Sequence, residues 1–269
     1  MIYLYLVLAL AIIALAYMLF EAGFVELKKV VFCNNSNSLK AMLLSDIHIN
    51  LLRVSPKKVK RIIDRERPDF IVMTGDYISR ASQLPKFYNF LDIIQDKNKK
   101  IYLCMGNHDY EAFLKDGSGG LEKYIKDISN RGISVLHNDS ECFVKDSRKY
   151  NLIGIADYRR GGADVKKALN NCCKDASKNI AFSHNPDVVL EIPEGKVDYL
   201  FCGHFHGGQI WLPFNLEFNV LRHERLCKMG IRRGLYNIRG INLYISRGLG
   251  NVLFPLRFLS RPEITMFYI

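Results

Sequence analysis

Five short segments of this 269-residue sequence combine acidic, amide and imidazole side chains at spacings suited to metal binding. Carboxylate oxygen, amide oxygen and imidazole nitrogen are ligands for Mn²⁺, Fe and Zn²⁺, whereas softer ions favour thiolates. In chain order the segments are Asp46-Ile47-His48, Gly75-Asp76, Gly106-Asn107-His108-Asp109, Ser183-His184-Asn185 and Gly203-His204-Phe205-His206. Of the seven histidines, only His137 and His223 lie outside them. The set therefore predicts a metal site assembled from distant parts of the chain.

Each segment follows an apolar run that is typical of a buried strand. The runs end at residues 45, 74, 105, 182 and 202. Sites in α/β proteins gather at the carboxyl ends of strands, so these loops are expected to converge. Alternate residues of an extended segment share a face, which lets Asp46 and His48 point the same way. Any one motif is weak alone, because Gly-Asp pairs and single histidines are common in turns.

The apolar runs alternate with helix-like segments, which is the pattern of a layered α/β domain. Ser55-Pro56 predicts the start of a helix in which Val59, Ile62 and Ile63 share a face. A hairpin is expected over residues 142–155. Three further strands are expected at 235–238, 242–246 and 263–269.

The N-terminal residues 2–20 carry no charge and are long enough to cross a bilayer as a helix. A cleaved signal would need a preceding basic segment, and a soluble helix is seldom apolar on every face. We predict a single-pass transmembrane anchor over residues 1–21, a connector over 22–39 and a catalytic domain over 40–269. Lys28, Lys29 and Lys40 follow the span, so the positive-inside rule places that domain on the cytoplasmic side of the cell inner membrane.

Net charge and cysteine content bear on the partners of the protein and on the redox state of its compartment. The formal net charge of +11 suits anionic lipid headgroups or nucleic acid, with a merely solvated basic surface as the alternative. The number of cysteines is odd, Cys172 and Cys173 are adjacent, and no CxxC pair is present. These features are a poor layout for a disulfide framework and predict a reducing compartment.

The ordered set DxH, GD, GNHD, H and GHxH resembles the calcineurin-like metallophosphoesterase superfamily over about residues 40–269. Gly207-Gly208-Gln209, the segment 183–187 and the segment 246–250 resemble its YkuE/YaeI-type membrane-associated phosphodiesterases, a branch that includes chlamydial-type UDP-2,3-diacylglucosamine pyrophosphatases. The resemblance implies a four-layer αββα sandwich, here preceded by one transmembrane helix.

The resemblance also implies a role for each motif residue. Asp46, His48 and His206 would bind a first metal ion; Asn107, His184 and His204 would bind a second; and Asp76 would bridge both. His108 would protonate the leaving oxygen, with Asp109 orienting its ring. The alternative for Asp109 is that it caps the following helix.

The function implied is hydrolysis of a phosphodiester or pyrophosphate by water that two divalent ions activate, with Mn²⁺ expected and Fe or Zn²⁺ as alternatives. A nuclease-like or general phosphodiesterase is the second reading. The membrane anchor and the lack of an obvious DNA-binding domain argue against nucleic acid as a partner. A catalytically inactive membrane scaffold is a third reading, and the intact ligand set argues against it.

The segment 211–230 follows the GHxH motif and combines apolar side chains with arginines. Trp211 and Phe214 would form an apolar wall, and Arg247, Arg257 or Arg261 would contact phosphate. This arrangement suits an amphiphilic phosphate ester, such as the lipid A precursor UDP-2,3-diacylglucosamine. A role in lipid A biosynthesis would require a source that has an outer membrane. Simple completion of the core by the same apolar residues is the alternative.

Overall fold

Two six-stranded sheets carry the candidate site at one edge. The structure is a computed structural model, and it describes residues 1–33, 37–96, 99–114, 118–211 and 216–269. The strands in chain order are β1 (Glu26–Val31), β2 (Lys40–Leu44), β3 (Phe70–Thr74), β4 (Lys100–Cys104), β5 (Ser134–Val135), β6 (Asp139–Lys145), β7 (Arg148–Gly154), β8 (Lys178–Phe182), β9 (Tyr199–Cys202), β10 (Gly234–Ile238), β11 (Ile241–Ile245) and β12 (Glu263–Tyr268).

The strands that precede the five motifs run parallel within their sheets. The first sheet has the order β1-β12-β2-β3-β4-β5, and β2 to β5 are parallel to one another. The second has the order β10-β11-β9-β8-β7-β6, in which β11, β9, β8 and β7 are parallel. The predicted hairpin is the antiparallel pair β6–β7. Each sheet thus brings the carboxyl ends of neighbouring strands together.

Most of the helices cover the outer faces of the two sheets, whereas most of the N-terminal helix is exposed. The helices in chain order are α1 (Ile2–Gly23), α2 (Pro56–Glu66), α3 (Leu84–Ile94), α4 (Asn107–Glu111), α5 (Ser118–Ser129), α6 (Val165–Leu169), α7 (Leu216–Leu221) and α8 (Arg225–Lys228). Short 3-10 turns occupy Ala81–Gln83, Pro186–Leu190 and His206–Gly208. As predicted, α2 starts at Pro56, with Ser55 in the N-cap position.

The alternation of side chains along the strands explains the layering. In β2, Ala41 and Leu43 pack between the sheets, whereas Met42 and Leu44 pack toward α2 and α3. The core between the sheets also contains residues of the second sheet, such as Phe201. A third cluster lies under α6 and α8 on the other face of the second sheet. The predicted four-layer αββα sandwich is confirmed.

The predicted connector over residues 22–39 needs correction. Helix α1 continues to Gly23, and β1 forms the edge of the first sheet, where it pairs in parallel with β12. This strand lacks the apolar run of a buried strand because Lys28 and Lys29 are exposed at the sheet edge. Its sequence therefore gave a weak strand signal.

Helix α1 is long and apolar enough to cross a bilayer, with a mean hydropathy of 2.5, and its apolar stretch is exposed. Only its last turn is buried, at Glu21 and Ala22. It is a candidate membrane span by length and composition.

Candidate metal centre

Polar side chains from four loops meet where the parallel strands end. Asp46 and His48 follow β2, Asp76 follows β3, His184 follows β8, and His204 follows β9. These five side chains and that of His206 are buried. Burial of so many ionisable groups at one place is costly unless they pair or bind a cation. The convergence that the sequence predicted is therefore present.

The first group consists of Asp46, His48 and His206, whose donor atoms all lie within 4.8 Å of one another. The two Nε2 atoms of His48 and His206 are 3.2 Å apart. Nε2 of His206 lies 3.3 Å from Oδ1 of Asp46. Lone pairs of two imidazoles and a carboxylate thus converge on one point, as they do around a bound divalent ion.

The second group consists of Asp76, His184 and His204, again within 4.8 Å. Oδ2 of Asp76 lies 3.1 Å from Nε2 of His184, and Nδ1 of His204 lies 3.0 Å from that same nitrogen. Oδ2 of Asp76 is also 3.6 Å from Nε2 of His48, which belongs to the first group. The Asp76 carboxylate therefore stands between the two groups.

Asn107 supplies an independent sign that a cation belongs here. It lines the same cavity as Asp76, His204 and His206. Its Oδ1 atom is buried and has no hydrogen-bond partner among the described residues. A buried amide oxygen without a partner carries a desolvation cost of about 1–3 kcal/mol. Coordination of a metal ion would satisfy it, so the donor set fits a two-ion site.

The backbone at the site is strained in a way that the sequence does not reveal. Asp46, His48, Asp76, His204 and His206 all have positive φ, between 38° and 73°. The left-handed region costs an ordinary residue roughly 1–2 kcal/mol. Such strain clusters at functional sites, where surrounding structure holds it in place.

Glycines allow neighbouring loops of the site to approach one another closely. A Cβ at Gly106 would collide with the carboxylate of Asp76, and one at Gly203 would collide with Ser45 and Asp46. Glycine at both positions therefore leaves room for the carboxylates.

The buried histidines differ in protonation, because their pKa values are shifted in opposite directions. Burial lowers the pKa of His48 to about 3 and that of His204 to about 4, so both rings are neutral. Burial also opposes charge on His184, but the neighbouring Asp76 outweighs it and raises the pKa of His184 to about 10. For Asp76, burial is likewise outweighed by His184, and its pKa lies well below the usual range. Without metal ions, His184 and Asp76 form an ion pair.

His108 and Asp109 have different surroundings from those predicted. His108 is partly exposed, lines the cavity, and places its ring 5.2 Å from that of His48. The oxygens of Asp109 accept backbone N–H groups of Asp76, Tyr77, Ile78 and Gly106, at 2.8–3.1 Å. Burial, followed by repulsion from Asp76, raises the pKa of Asp109 to about 7. Asp109 thus fixes the loop that carries Asp76 and the start of α4, which corrects its predicted role as the orienter of His108.

Glu224 is a site residue that the motifs did not reveal. It is buried, and its Oε1 lies 2.9 Å from Nε2 of His204. Arg159 donates to the same oxygen at 3.2 Å. Arg222 donates to the carbonyl of His204 at 2.8 Å. A buried histidine followed at distance by an acid leaves no spacing signature, so only the fold reveals this contact.

A cavity of about 720 Å³ opens over the metal groups. Its polar end holds Asp76, Asn107, His108, Arg159 and Arg222. Its apolar wall is formed by Phe205, Ile210, Leu216, Phe218, Val252, Leu253 and Phe254. Trp211 is not part of that lining among the described residues, and Phe214 lies outside them.

The predicted phosphate contacts of two arginines need correction. Arg257 is fully buried, and its guanidinium donates to the carbonyls of Arg247, Gly248, Gly250 and Ser260 and to the side chain of Asn251. Arg247 pairs with Glu26 at 2.8 Å and with Glu263 at 2.6 Å. Neither lines the cavity within the described part of the chain. Both guanidinium groups are surrounded by acceptors of the protein itself, so they stabilise the fold and do not face a substrate.

The two-sheet sandwich and the paired donor groups define a metallophosphoesterase. The sequence model of the calcineurin-like phosphoesterase family matches residues 39–208. The chain belongs to that family, and its predicted class of enzyme is confirmed.

Curated relatives fall in the predicted branch. The chain is 28% identical to the metallophosphoesterase YkuE of Bacillus subtilis, over 90% of this chain and 82% of that protein. It is also 28% identical to the UDP-2,3-diacylglucosamine pyrophosphatase LpxG of Chlamydia muridarum (85% and 82%) and to the phosphodiesterase YaeI of Escherichia coli (91% and 88%). Among solved structures, the sulfate thiohydrolase SoxB of Thermus thermophilus aligns with a TM-score of 0.54 at 9% identity, over 81% of this chain and 53% of that one. That likeness shows the fold alone.

Proposed function

We propose that this protein is a dinuclear-metal hydrolase that cleaves a phosphodiester or pyrophosphate bond in a lipid-linked substrate at the cytoplasmic side of the inner membrane. The observation that supports it most directly is the position of Asp76 between two groups of buried metal-binding side chains. A carboxylate that contacts both groups suits a pair of ions sharing one ligand.

The ligands in this proposal are Asp46, His48 and His206 for one ion and Asn107, His184 and His204 for the other, with Asp76 shared. Two divalent ions, with Mn²⁺ expected, would activate water and offset negative charge on the phosphoryl oxygens. The protein's own part is to hold these donors rigidly: Asp109 anchors the Asp76 loop, and Glu224 fixes the ring of His204.

His108 is the proposed proton donor to the leaving oxygen. It lines the cavity beside Asp76 and Asn107 and is open enough to reach a bound substrate. Replacing His108 with glutamine should lower kcat most for substrates with poor leaving groups. A variant that slows nitrophenyl esters and alkyl esters equally would argue against proton donation.

The proposed substrate is amphiphilic, and UDP-2,3-diacylglucosamine is a concrete example. Arg159 and Arg222 lie at the polar end of the cavity, where they suit a phosphate-rich group. The apolar wall with Phe218 and Phe254 suits acyl chains. A relative of the chain carries that pyrophosphatase name.

The test is hydrolysis by the purified full chain. With Mn²⁺ we expect cleavage of bis-p-nitrophenyl phosphate that a chelator abolishes and that Asp76→Ala lacks. Activity that survives complete chelation would refute the metal mechanism. UDP-diacylglucosamine should then be cleaved faster than its deacylated analogue and than single-stranded DNA. Preference for DNA would favour the nuclease-like reading.

A further inference from the structure

The end of helix α1 is fixed to a loop formed by residues 257–260, which we call the clamp loop. The backbone N–H of Arg257 donates to the carbonyl of Met18 at 3.2 Å. The carboxylate of Glu21 accepts the N–H groups of Leu259 and Ser260, each at 3.0 Å. The candidate membrane span is therefore attached rigidly to the catalytic unit.

The clamp loop also reaches the metal site and the cavity wall. Ser260 donates from Oγ to the carbonyls of His206 and Gly207, each at 3.2 Å. The N–H of Phe258 donates to the carbonyl of Gln209 at 2.9 Å. The side chain of Gln209 holds Val252 through hydrogen bonds in both directions. A continuous set of contacts thus joins the end of α1 to the rim of the cavity.

The length of α1 fixes where this region lies relative to a bilayer. A helix of 22 residues is about 33 Å long, close to the roughly 30 Å hydrocarbon thickness. The end of the helix must then lie close to the boundary between acyl chains and headgroups. Glu21 in its last turn bonds the clamp loop, and the ring centre of Tyr17, about two turns before the helix end, lies 6.0 Å from that of Phe258. The clamp loop consequently lies near the same boundary.

Large apolar side chains are exposed around this junction. Leu253 is 78% exposed, Phe254 62% and Leu259 52%. Trp211 lies beside the clamp loop, because its backbone N–H donates to the carbonyl of Phe258 at 2.9 Å. We call Trp211, Leu253, Phe254 and Leu259 the membrane patch. A contiguous exposed apolar patch usually marks an interaction surface.

Neither backbone preference nor packing accounts for the two leucines. Leu253 has φ of 62° and Leu259 has φ of 53°. Glycine or asparagine would adopt this left-handed conformation with less strain. Both leucine side chains nonetheless project from the protein surface. An apolar phase outside the protein would give them a favourable environment.

Cations stacked on aromatic rings surround the same junction. The guanidinium of Arg233 lies 4.3 Å from the Trp211 ring centre. Arg261 and Lys58 lie 4.9 Å and 5.3 Å from the ring centre of Phe24, which follows α1. Aromatic rings with basic groups are typical of the headgroup layer, where anionic lipids attract the cations.

We propose that the membrane patch is seated in the headgroup layer of the bilayer that α1 crosses, so that the cavity opens onto the membrane surface. Leu253 and Phe254 belong both to the patch and to the cavity lining, which connects the two. The seating is independent of the proposed function. The consequence for substrate access rests on that function.

Trp211 is the only tryptophan in the chain and can report the seating directly. The full chain is reconstituted in phosphatidylcholine–phosphatidylglycerol vesicles with or without bromine near the top of the acyl chains. We expect brominated lipid to quench about half of the fluorescence, since interfacial groups lie about 5–10 Å deep. Leu253→Asn combined with Leu259→Asn should lose most of this quenching. Val144→Asn, which changes an exposed residue on β6, should retain it. Unquenched Trp211 in the wild-type chain would overturn the proposal.

A second measurement tests access to substrate. Leu259→Asn alters a residue outside the cavity lining, so hydrolysis of soluble bis-p-nitrophenyl phosphate should be unchanged. Hydrolysis of a long-chain alkyl nitrophenyl phosphodiester held in vesicles should fall about tenfold, since membrane burial of one leucine is lost. If Leu259→Asn hydrolyses the vesicle-bound diester as fast as the wild type does, the proposed route of substrate access is overturned. If neither diester is cleaved by the wild type, the proposed function fails while the quenching result still decides the seating.

Discussion

The carboxylate of Glu224 lies 2.9 Å from Nε2 of His204, while Nδ1 of the same ring faces His184. Burial opposes charge on Glu224, but the hydrogen bond with His204 and the nearby Arg222 lower its pKa to about 2. An ionised carboxylate can only accept, so Nε2 carries the proton and the lone pair of Nδ1 points at the metal group. Glu224 therefore selects the tautomer that can bind a metal ion.

Glu224→Gln should weaken metal binding by about 10- to 100-fold, because outer partners of metal-bound histidines have effects of that size. The measurement is the Mn²⁺ concentration that gives half-maximal hydrolysis, checked by calorimetric titration. Glu191→Gln changes an exposed acid paired with Arg225 and serves as the control. An unchanged Mn²⁺ requirement in Glu224→Gln would show that the contact does not set the ligand geometry.

Asp76→Asn should reduce kcat roughly a thousandfold, since about 4 kcal/mol of charge stabilisation is lost with the shared carboxylate. Saturating Mn²⁺ should not restore the rate. Asp69→Asn is a matched control, because Asp69 precedes β3 at the end opposite Asp76 and pairs with Lys145. Near-normal turnover by Asp76→Asn would contradict the shared-ligand arrangement.

The sequence indicated the candidate metal ligands because their positions follow a local rule. Asp46 and His204 are each the second residue after an apolar strand, and this order can be read from the sequence. The layered α/β class followed from the same alternation of strands and helices, whereas the four-layer sandwich was implied by the resemblance to the family. The positive φ of Asp46 and His204 could not be predicted, because those conformations depend on contacts with other loops.

Other features depend on contacts that no local pattern encodes. Glu224 reaches His204 only through the return of the chain after β9. The charge and residue type of Arg257 suit a contact with phosphate, yet in the fold its guanidinium donates to backbone carbonyl groups. Strand β1 obtains its place by pairing with β12, more than 200 residues away. The patterns of charge and hydropathy therefore indicated the candidate metal-binding residues better than they indicated the residues that hold them in place.

Arg257→Lys should destabilise the protein by about 3 kcal/mol or more, because several hydrogen bonds to a buried cation are lost. The free energy of unfolding can be measured by denaturant titration in detergent, with tryptophan fluorescence as the signal. The KM for bis-p-nitrophenyl phosphate should change little at temperatures where the variant remains folded. A raised KM without loss of stability would instead restore Arg257 as a phosphate contact.

Arg159→Gln should raise the KM for anionic diesters by about tenfold, as expected for loss of one charge-assisted hydrogen bond. The neighbouring Arg160 pairs with Glu111 and does not line the cavity among the described residues. Arg160→Gln is thus a control of equal charge change. Kinetics at two salt concentrations complete the test: a similar KM increase in both variants would indicate a general field effect.

Glu26 ties the edge strand β1 to Arg247, and this ion pair should make stability depend on pH. Burial would raise the pKa of Glu26, but the hydrogen bond and charge of Arg247 outweigh it and lower the pKa below 4.5. The contribution of a carboxylate with lowered pKa is complete above pH 4.5 and is lost as pH falls through the folded-state value. Because Glu26 is partly exposed, the contribution should be at most about 1 kcal/mol. Wild type and Glu26→Gln should therefore differ in unfolding free energy near neutral pH and converge well below pH 4.5. A difference that persists unchanged into acid would mean that Glu26 acts through packing instead of charge.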